Sequence, residues 1–139
     1  MRRTLPIPRA RAFDFFADAA LLAKWWGPRG FAIPSLDFTP VVGTTYRIAM
    51  QPPEGEAFYL TGTFREVDAP SRLAFTFEWE PADPDDAETI ARLSFEAIDE
   101  MTEVHFAQGP FKTEERRALH RGGWTESFDK LGELVARQS

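Results

Sequence analysis

Acid–base chemistry in this chain can rest on two histidines, His105 and His120, because imidazole changes charge near neutral pH. His105 lies between Val104 and Phe106, and alternation along a strand turns it away from those apolar neighbours toward solvent. His120 stands one helical turn before Trp124 and shares its face, which makes it the better candidate for a catalytic group. Beside it on the same helix lie Arg116, Arg117 and Arg121 but no orienting carboxylate. Nearby positive charge keeps an imidazole neutral, as a base requires, and the orienting acid has to come from the sheet or a loop. A nucleophile is harder to find. Cysteine is absent, and neither Ser94 nor Ser127 sits in a Gly-x-Ser-x-Gly elbow. Two histidines outside any HExxH spacing give no expectation of a metal, and no GxGxxG or P-loop pattern points to a nucleotide. No cofactor is expected.

The other chemistry-bearing residues are aromatic. Thirteen Phe and four Trp are many for 139 residues, and such rings either fill a core densely or line a cavity for an apolar ligand. Composition leaves both open. The net charge of −6 and a pI near 4.9 argue against nucleic acid and against an anionic membrane surface, both of which ask for a cationic footprint. Two arginine groups, Arg2, Arg3, Arg9 and Arg11, then Arg116, Arg117 and Arg121, read as solvated charges flanking helices. No apolar run approaches a membrane span, no secretory leader opens the chain, and the cytoplasm is the default compartment.

Positioning these residues falls to one α+β domain over residues 1–139. Arg2 to Pro8 reads as a short strand. Ala12, Phe13, Phe16 and Ala20 then follow helical spacing, and Asp18 is placed to cap a second short helix carrying Leu21, Leu22, Trp25 and Trp26. From Phe31 to Phe111 strands and turns alternate: Ile33–Phe38, Tyr46–Met50, Ala57–Val67, a run in which Leu73, Phe75, Phe77 and Trp79 alternate with Ala74, Thr76, Glu78 and Glu80, then Thr89–Ile98 and a last strand with Val104 and Phe106 inward. The acidic, proline-bearing stretch from Pro81 to Glu88 reads as a mobile loop. Six consecutive strands with short links predict an antiparallel meander. Beyond Lys112, Thr113 is the expected N-cap of a long helix, with Glu114 and Glu115 favourably placed against its dipole. Trp124, Phe128, Leu131 and Val135 form its apolar stripe. Gly122-Gly123 inside that helix costs about 1 kcal/mol per glycine, which suggests a close approach to the backbone or a bend. The meander cannot bury its apolar face alone, so a curved sheet gripping the last helix is the expected architecture.

Three segments also carry a resemblance. Leu21-Leu22-Ala23-Lys24-Trp25-Trp26-Gly27-Pro28 looks like an "LxxWWGP" element, Gly62 to Leu73 like a "GxxxEvdpPerL" hairpin, and His120-Arg121-Gly122-Gly123-Trp124 with Phe128 and Leu131 like an "HxxGWxxxLdxL" helix. In this order they resemble the domain family of the C-terminal part of the activator of heat-shock protein 90 ATPase. The resemblance implies the helix-grip fold of the START-like, birch-pollen-allergen-like superfamily, whose members hold apolar molecules between sheet and long helix. Two positions depart from the pattern: Gly43-Thr44 replaces a doubled glycine, and Gln108 stands where a histidine is common, which weakens any histidine-based function. The N-terminal domain through which the eukaryotic co-chaperone contacts its partner has no counterpart in this sequence, so chaperone contact is not expected.

The leading expectation is therefore a binder of a small hydrophobic or amphipathic molecule. Its ligand-binding residues are Trp25, Trp26, Phe58, Phe75, Phe77, Trp79, Phe95, Phe106, Trp124 and Phe128, with one or two of Arg47, Tyr59, Gln108 and His120 to orient the ligand. Trp25 and Trp26 can plug the core end or wall the cavity, one doing each. The alternatives are a cyclase- or hydratase-like enzyme using His120, and a co-chaperone-type module stimulating a chaperone ATPase. A homodimer through sheet edges or the loop at Gly27-Pro28 is a further expectation.

Overall fold

Regular alternation puts Leu73, Phe75 and Phe77 on the buried face of one central strand, and the rest of the sheet is built out from it. The computed structural model describes residues 1–138; of the domain expected over 1–139, Ser139 lies outside the described residues. In chain order the elements are β1 (Arg2–Leu5), α1 (Arg9–Ala17), α2 (Ala19–Leu22), β2 (Leu36–Asp37), β3 (Thr45–Met50), β4 (Phe58–Asp68), β5 (Arg72–Glu80), β6 (Thr89–Ile98), β7 (Met101–Gly109) and α3 (Glu114–Gln138). Among the described residues they form one antiparallel sheet ordered β1-β7-β6-β5-β4-β3-β2. The six later strands are the expected meander, and β1 joins its far edge against β7. With α3 across the concave face, this is the expected α+β helix-grip fold.

Local chemistry explains the helix ends. The Asp18 carboxylate accepts from the Ala20 and Leu21 N–H groups at 2.9 and 3.2 Å and caps α2. The helix ends at Leu22, however, and Trp25 and Trp26 occupy the turn after it, not the helix itself. Thr113 caps α3, its hydroxyl accepting from the Arg116 N–H at 3.1 Å. Trp124, Phe128, Leu131 and Val135 are all buried, which confirms the gripped stripe. Salt bridges from Arg3 to Asp129 (2.6 Å) and from Arg29 to Glu133 (2.9 Å) add orientation, though such partly exposed pairs contribute little stability.

Two expectations need correction. The run Ile33–Phe38 shrinks to the two residues of β2, because Pro34 has no N–H for a ladder; Ala32 makes an isolated bridge to Gln51. The stretch from Pro81 to Glu88 is a loop, as expected, with contacts to α3 and the chain just before it: Arg116 reaches Asp83 and Lys112 donates to the Pro84 carbonyl. Close approach does not explain Gly122: a Cβ built there meets nothing within 4 Å. Gly122→Ala is accordingly expected to stabilise the fold by about 0.5–1 kcal/mol through helix propensity, read as a higher urea midpoint with unchanged slope.

The core is a chain of rings in three groups. Phe38, Tyr46, Phe64 and Phe75 pack edge to face at one end of the sheet. Phe13, Phe16, Phe95, Trp25 and Phe128 join α1, β6 and α3 in the middle. Trp26, Phe77, Trp79, Trp124 and Phe106 gather at the other end. In the first group the Tyr46 hydroxyl donates to the Thr76 carbonyl at 2.6 Å, and burial pushes its pKa well up. No helix among the described residues is long and apolar enough to cross a membrane.

Candidate functional site

The third ring group does not close on itself. Between the middle of α3, the inner faces of β4 and β5, the turn after α2 and the loop after β5 lies a cavity of about 350 Å³, within the range of small-molecule sites. Inward parity on the sheet supplies Met50, Phe58, Phe77 and Trp79 to its wall. The stripe of α3 supplies His120, Gly123, Trp124 and Ser127, and the turn after α2 adds Trp26, Gly27, Pro28 and Phe31. A positive φ of 87° lets Gly27 make that turn, where an L side chain would be strained. The Lys130 ammonium donates to the Trp26 carbonyl at 3.3 Å and ties the turn to α3.

Five of the ten aromatic residues expected at a ligand site therefore stand on the cavity wall: Trp26, Phe58, Phe77, Trp79 and Trp124. The structure places the other five in the packed core. Trp25 is fully buried, with its indole N–H donating to the Phe15 carbonyl at 2.9 Å, so of the tryptophan pair Trp25 plugs and Trp26 walls. Phe75 belongs to the ring group at the far end, and Phe95 lies under α1 against Phe13 and Phe16. Phe106 and Phe128 sit behind Trp124.

The orienting groups are also redistributed. Arg47 and Tyr59 lie on the outer face of the sheet, with the guanidinium 3.6 Å above the Tyr59 ring and 2.7 Å from Glu80, so neither reaches the cavity. Gln108 stands behind the wall, accepting from the Trp124 indole and donating to the Thr89 hydroxyl, both at 2.8 Å. It fixes the Trp124 ring and is not part of the cavity lining. His120 is on the wall itself. Its Nε2 accepts from the Trp79 indole N–H at 3.1 Å, which requires an unprotonated Nε2.

Sequence reading missed the acidic side of the cavity. Asp83 and Asp86 enter from the loop after β5, and Arg116 enters from the first turns of α3. Arg116 lies 2.9 Å from Asp83 and 3.6 Å from Asp86. The Asp86 side chain is only 7% exposed, and the same carboxylate accepts from the Asp83 N–H at 2.8 Å. A loop some thirty positions away thus brings carboxylates to the same wall as His120. Burial lowers the His120 pKa below the ordinary imidazole value; the Asp86 charge opposes this, and the Arg116 charge adds to it.

That balance gives a sign. Unfolded, His120 titrates near about 6.5; folded, it resists protonation, so the unfolded chain binds more protons just below that pH. Its contribution to stability is complete above about pH 6.5 and is lost as pH falls through the lowered folded value. Urea unfolding at pH 7.5 and pH 5.5 is expected to show a smaller loss of stability in His120→Gln than in the wild type.

His105 is on the opposite face. Its Nε2 lies 2.7 Å from Glu103 and 3.6 Å from Glu96, poorly aligned for a hydrogen bond. With those two carboxylates it makes the one grouping among the described residues that could offer three metal-ligand atoms.

The family profile described as Activator of Hsp90 ATPase homolog 1-like protein matches residues 6–136. Among solved structures, the AHSA1 protein of Silicibacter pomeroyi is similar at 25% identity, with a TM-score of 0.87 over 100% of this chain and 97% of its own. A protein of Rhodobacter sphaeroides shares the fold at 23% identity and a TM-score of 0.82, covering 99% and 90%. One of Nitrosomonas europaea does so at 22% and 0.81, covering 100% and 94%. No curated protein matches the chain at a significant level.

Proposed function

This chain belongs to the Activator of Hsp90 ATPase homolog 1-like family, and on that premise we propose that it binds a small apolar or amphipathic molecule between α3 and the sheet. One observation carries the reading: six aromatic side chains, Trp26, Phe31, Phe58, Phe77, Trp79 and Trp124, surround a cavity of about 350 Å³. A ligand burying roughly 200 Å² of apolar surface gains about 5 kcal/mol at about 25 cal/mol per Å². Loss of translational freedom is subtracted from that gain, so moderate affinity is expected. Three of the four tryptophans, Trp26, Trp79 and Trp124, line the cavity, so intrinsic fluorescence reports on occupancy. Titration with the neutral probe N-phenylnaphthylamine is expected to give saturable energy transfer from tryptophan. A linear, non-saturating response would sink the proposal.

A second reading has its own support, since His120 lies on the cavity wall with the Asp86 charge acting on it. In a cyclase- or hydratase-like reaction His120 would move a proton on the bound molecule. Turnover that persists in His120→Ala would exclude this role.

A further inference from the structure

The cavity is apolar along most of its wall, but its few charges are not balanced. Asp83 and Asp86 bring two carboxylates, and Arg116 brings one guanidinium. That guanidinium is already held between the two acids, at 2.9 and 3.6 Å. It neutralises one charge and leaves about one negative charge over. Asp86 is buried to all but 7% of its side chain, so its field is screened far less than that of a surface acid.

The hydrogen-bond donors that an anionic ligand would need are mostly committed. The Trp79 N–H goes to His120, the Trp124 N–H to Gln108, and the Ser127 hydroxyl to the Gly123 carbonyl at 3.0 Å. His120, accepting through Nε2, adds no positive charge to the wall. Besides ring face, the wall offers the carboxylate oxygens of Asp83 and Asp86, the Nδ1–H of neutral His120 and the N–H groups of Arg116, which the two acids already face. The π face of an aromatic ring is negative and attracts cations, indole most strongly. Trp26, Trp79 and Trp124 share the wall with Asp86, and the protein's net charge of −6 favours the approach of a cation over an anion.

We propose that the molecule bound in this cavity carries a positive charge, as an ammonium or quaternary ammonium on an apolar body, set among the tryptophan faces with Asp86 as counter-ion. The inference rests on the binding reading above and adds the ligand class. Neutral molecules of the same shape fill the cavity with lower affinity, and carboxylates are rejected by Asp83 and Asp86.

Three probes of matched shape test it by displacement of N-phenylnaphthylamine: phenylpropyltrimethylammonium, its isostere with carbon in place of the ammonium nitrogen, and phenylbutyrate. The ammonium is expected to bind at least about tenfold more tightly than the isostere at low salt, and phenylbutyrate more weakly than either. Asp86→Asn should bring the ammonium to within about threefold of the isostere while leaving the isostere unchanged. Equal binding of ammonium and isostere to the wild type, or tighter binding of the carboxylate, overturns the proposal without requiring any variant to fold. A preference unchanged in well-folded Asp86→Asn overturns the role of Asp86. Failure of the naphthylamine itself to bind is a different result, which removes the cavity as a binding site.

Discussion

Gly62→Ala is expected to destabilise the protein by at least about 3 kcal/mol, lowering the thermal midpoint by about 10 °C for a domain of this size. The cause is space rather than backbone conformation. Gly62 on β4 is paired with Tyr46 on β3, and the β4–β5 ladder passes from Thr61–Glu78 to Phe64–Phe75 around it. In that interval the Thr76 hydroxyl takes the Thr63 N–H at 2.7 Å, and the Thr76 carbonyl is turned toward Gly62. A Cβ at Gly62 would collide with that carbonyl oxygen and with the edge of the Tyr46 ring. A ring can tilt, but a carbonyl in the middle of a sheet moves only with its strand. Replacing glycine ordinarily gains about 0.4–1 kcal/mol by restricting the unfolded chain, too little to offset such a clash. Tyr46→Phe in the same background is not expected to rescue it, since the carbonyl still blocks the site. Differential scanning calorimetry on both variants decides the matter; a midpoint within 2–3 °C of the wild type in Gly62→Ala, on the order expected for a neutral surface change, would show that the strands yield.

Gly123→Phe is expected to abolish occupancy of the cavity while leaving the fold intact. Gly123 is on the α3 face that lines the cavity, and a Cβ there meets only the Pro28 ring, 3.7 Å away, an ordinary contact. Alanine is therefore expected to bind N-phenylnaphthylamine as the wild type does, with a helix stabilised by about 0.5–1 kcal/mol. A phenyl ring on the same Cβ has to enter the space between Trp26, Pro28 and Trp124, where the ligand would lie. Probe affinity should fall at least about tenfold, roughly 1.4 kcal/mol, with no loss of thermal midpoint. Wild-type affinity in a folded Gly123→Phe protein would place probe binding somewhere other than this cavity.

How much of this was legible beforehand differs by residue. The alternation of Leu73, Phe75, Phe77 and Trp79 and the stripe from Trp124 to Val135 were visible because strand and helix periodicity are local properties. Both buried faces lie where that periodicity puts them. The outward position of Arg47 and Tyr59 was also readable, since each alternates with the inward residues Tyr46, Ile48, Phe58 and Leu60. Ranking them as ligand contacts ignored that parity. Thr113 and Asp18 cap as their types and positions indicated.

Other features had only indirect signals. Gly122-Gly123 stood out, yet the useful member is the one that opens wall space, not the one in empty surroundings. The loop from Pro81 to Glu88 looked merely solvated and acidic, but two of its carboxylates close on Arg116, and one of these is buried. No property of the loop alone distinguishes those outcomes, because the partner is on a helix about thirty residues later.

From the sequence alone come the order of elements, the face each one buries, the caps, and a family pattern spread from the second helix to the end of the chain. Tertiary structure alone decided which rings fill the core and which surround a cavity, and that Asp86 shares the cavity wall with His120. Periodicity determines the direction in which a side chain leaves its own strand or helix. A cavity is a shortfall of volume between elements, set by the distance of α3 from the sheet and by where the Trp26 turn and the Asp86 loop come to rest. Those distances depend on all the packed side chains together.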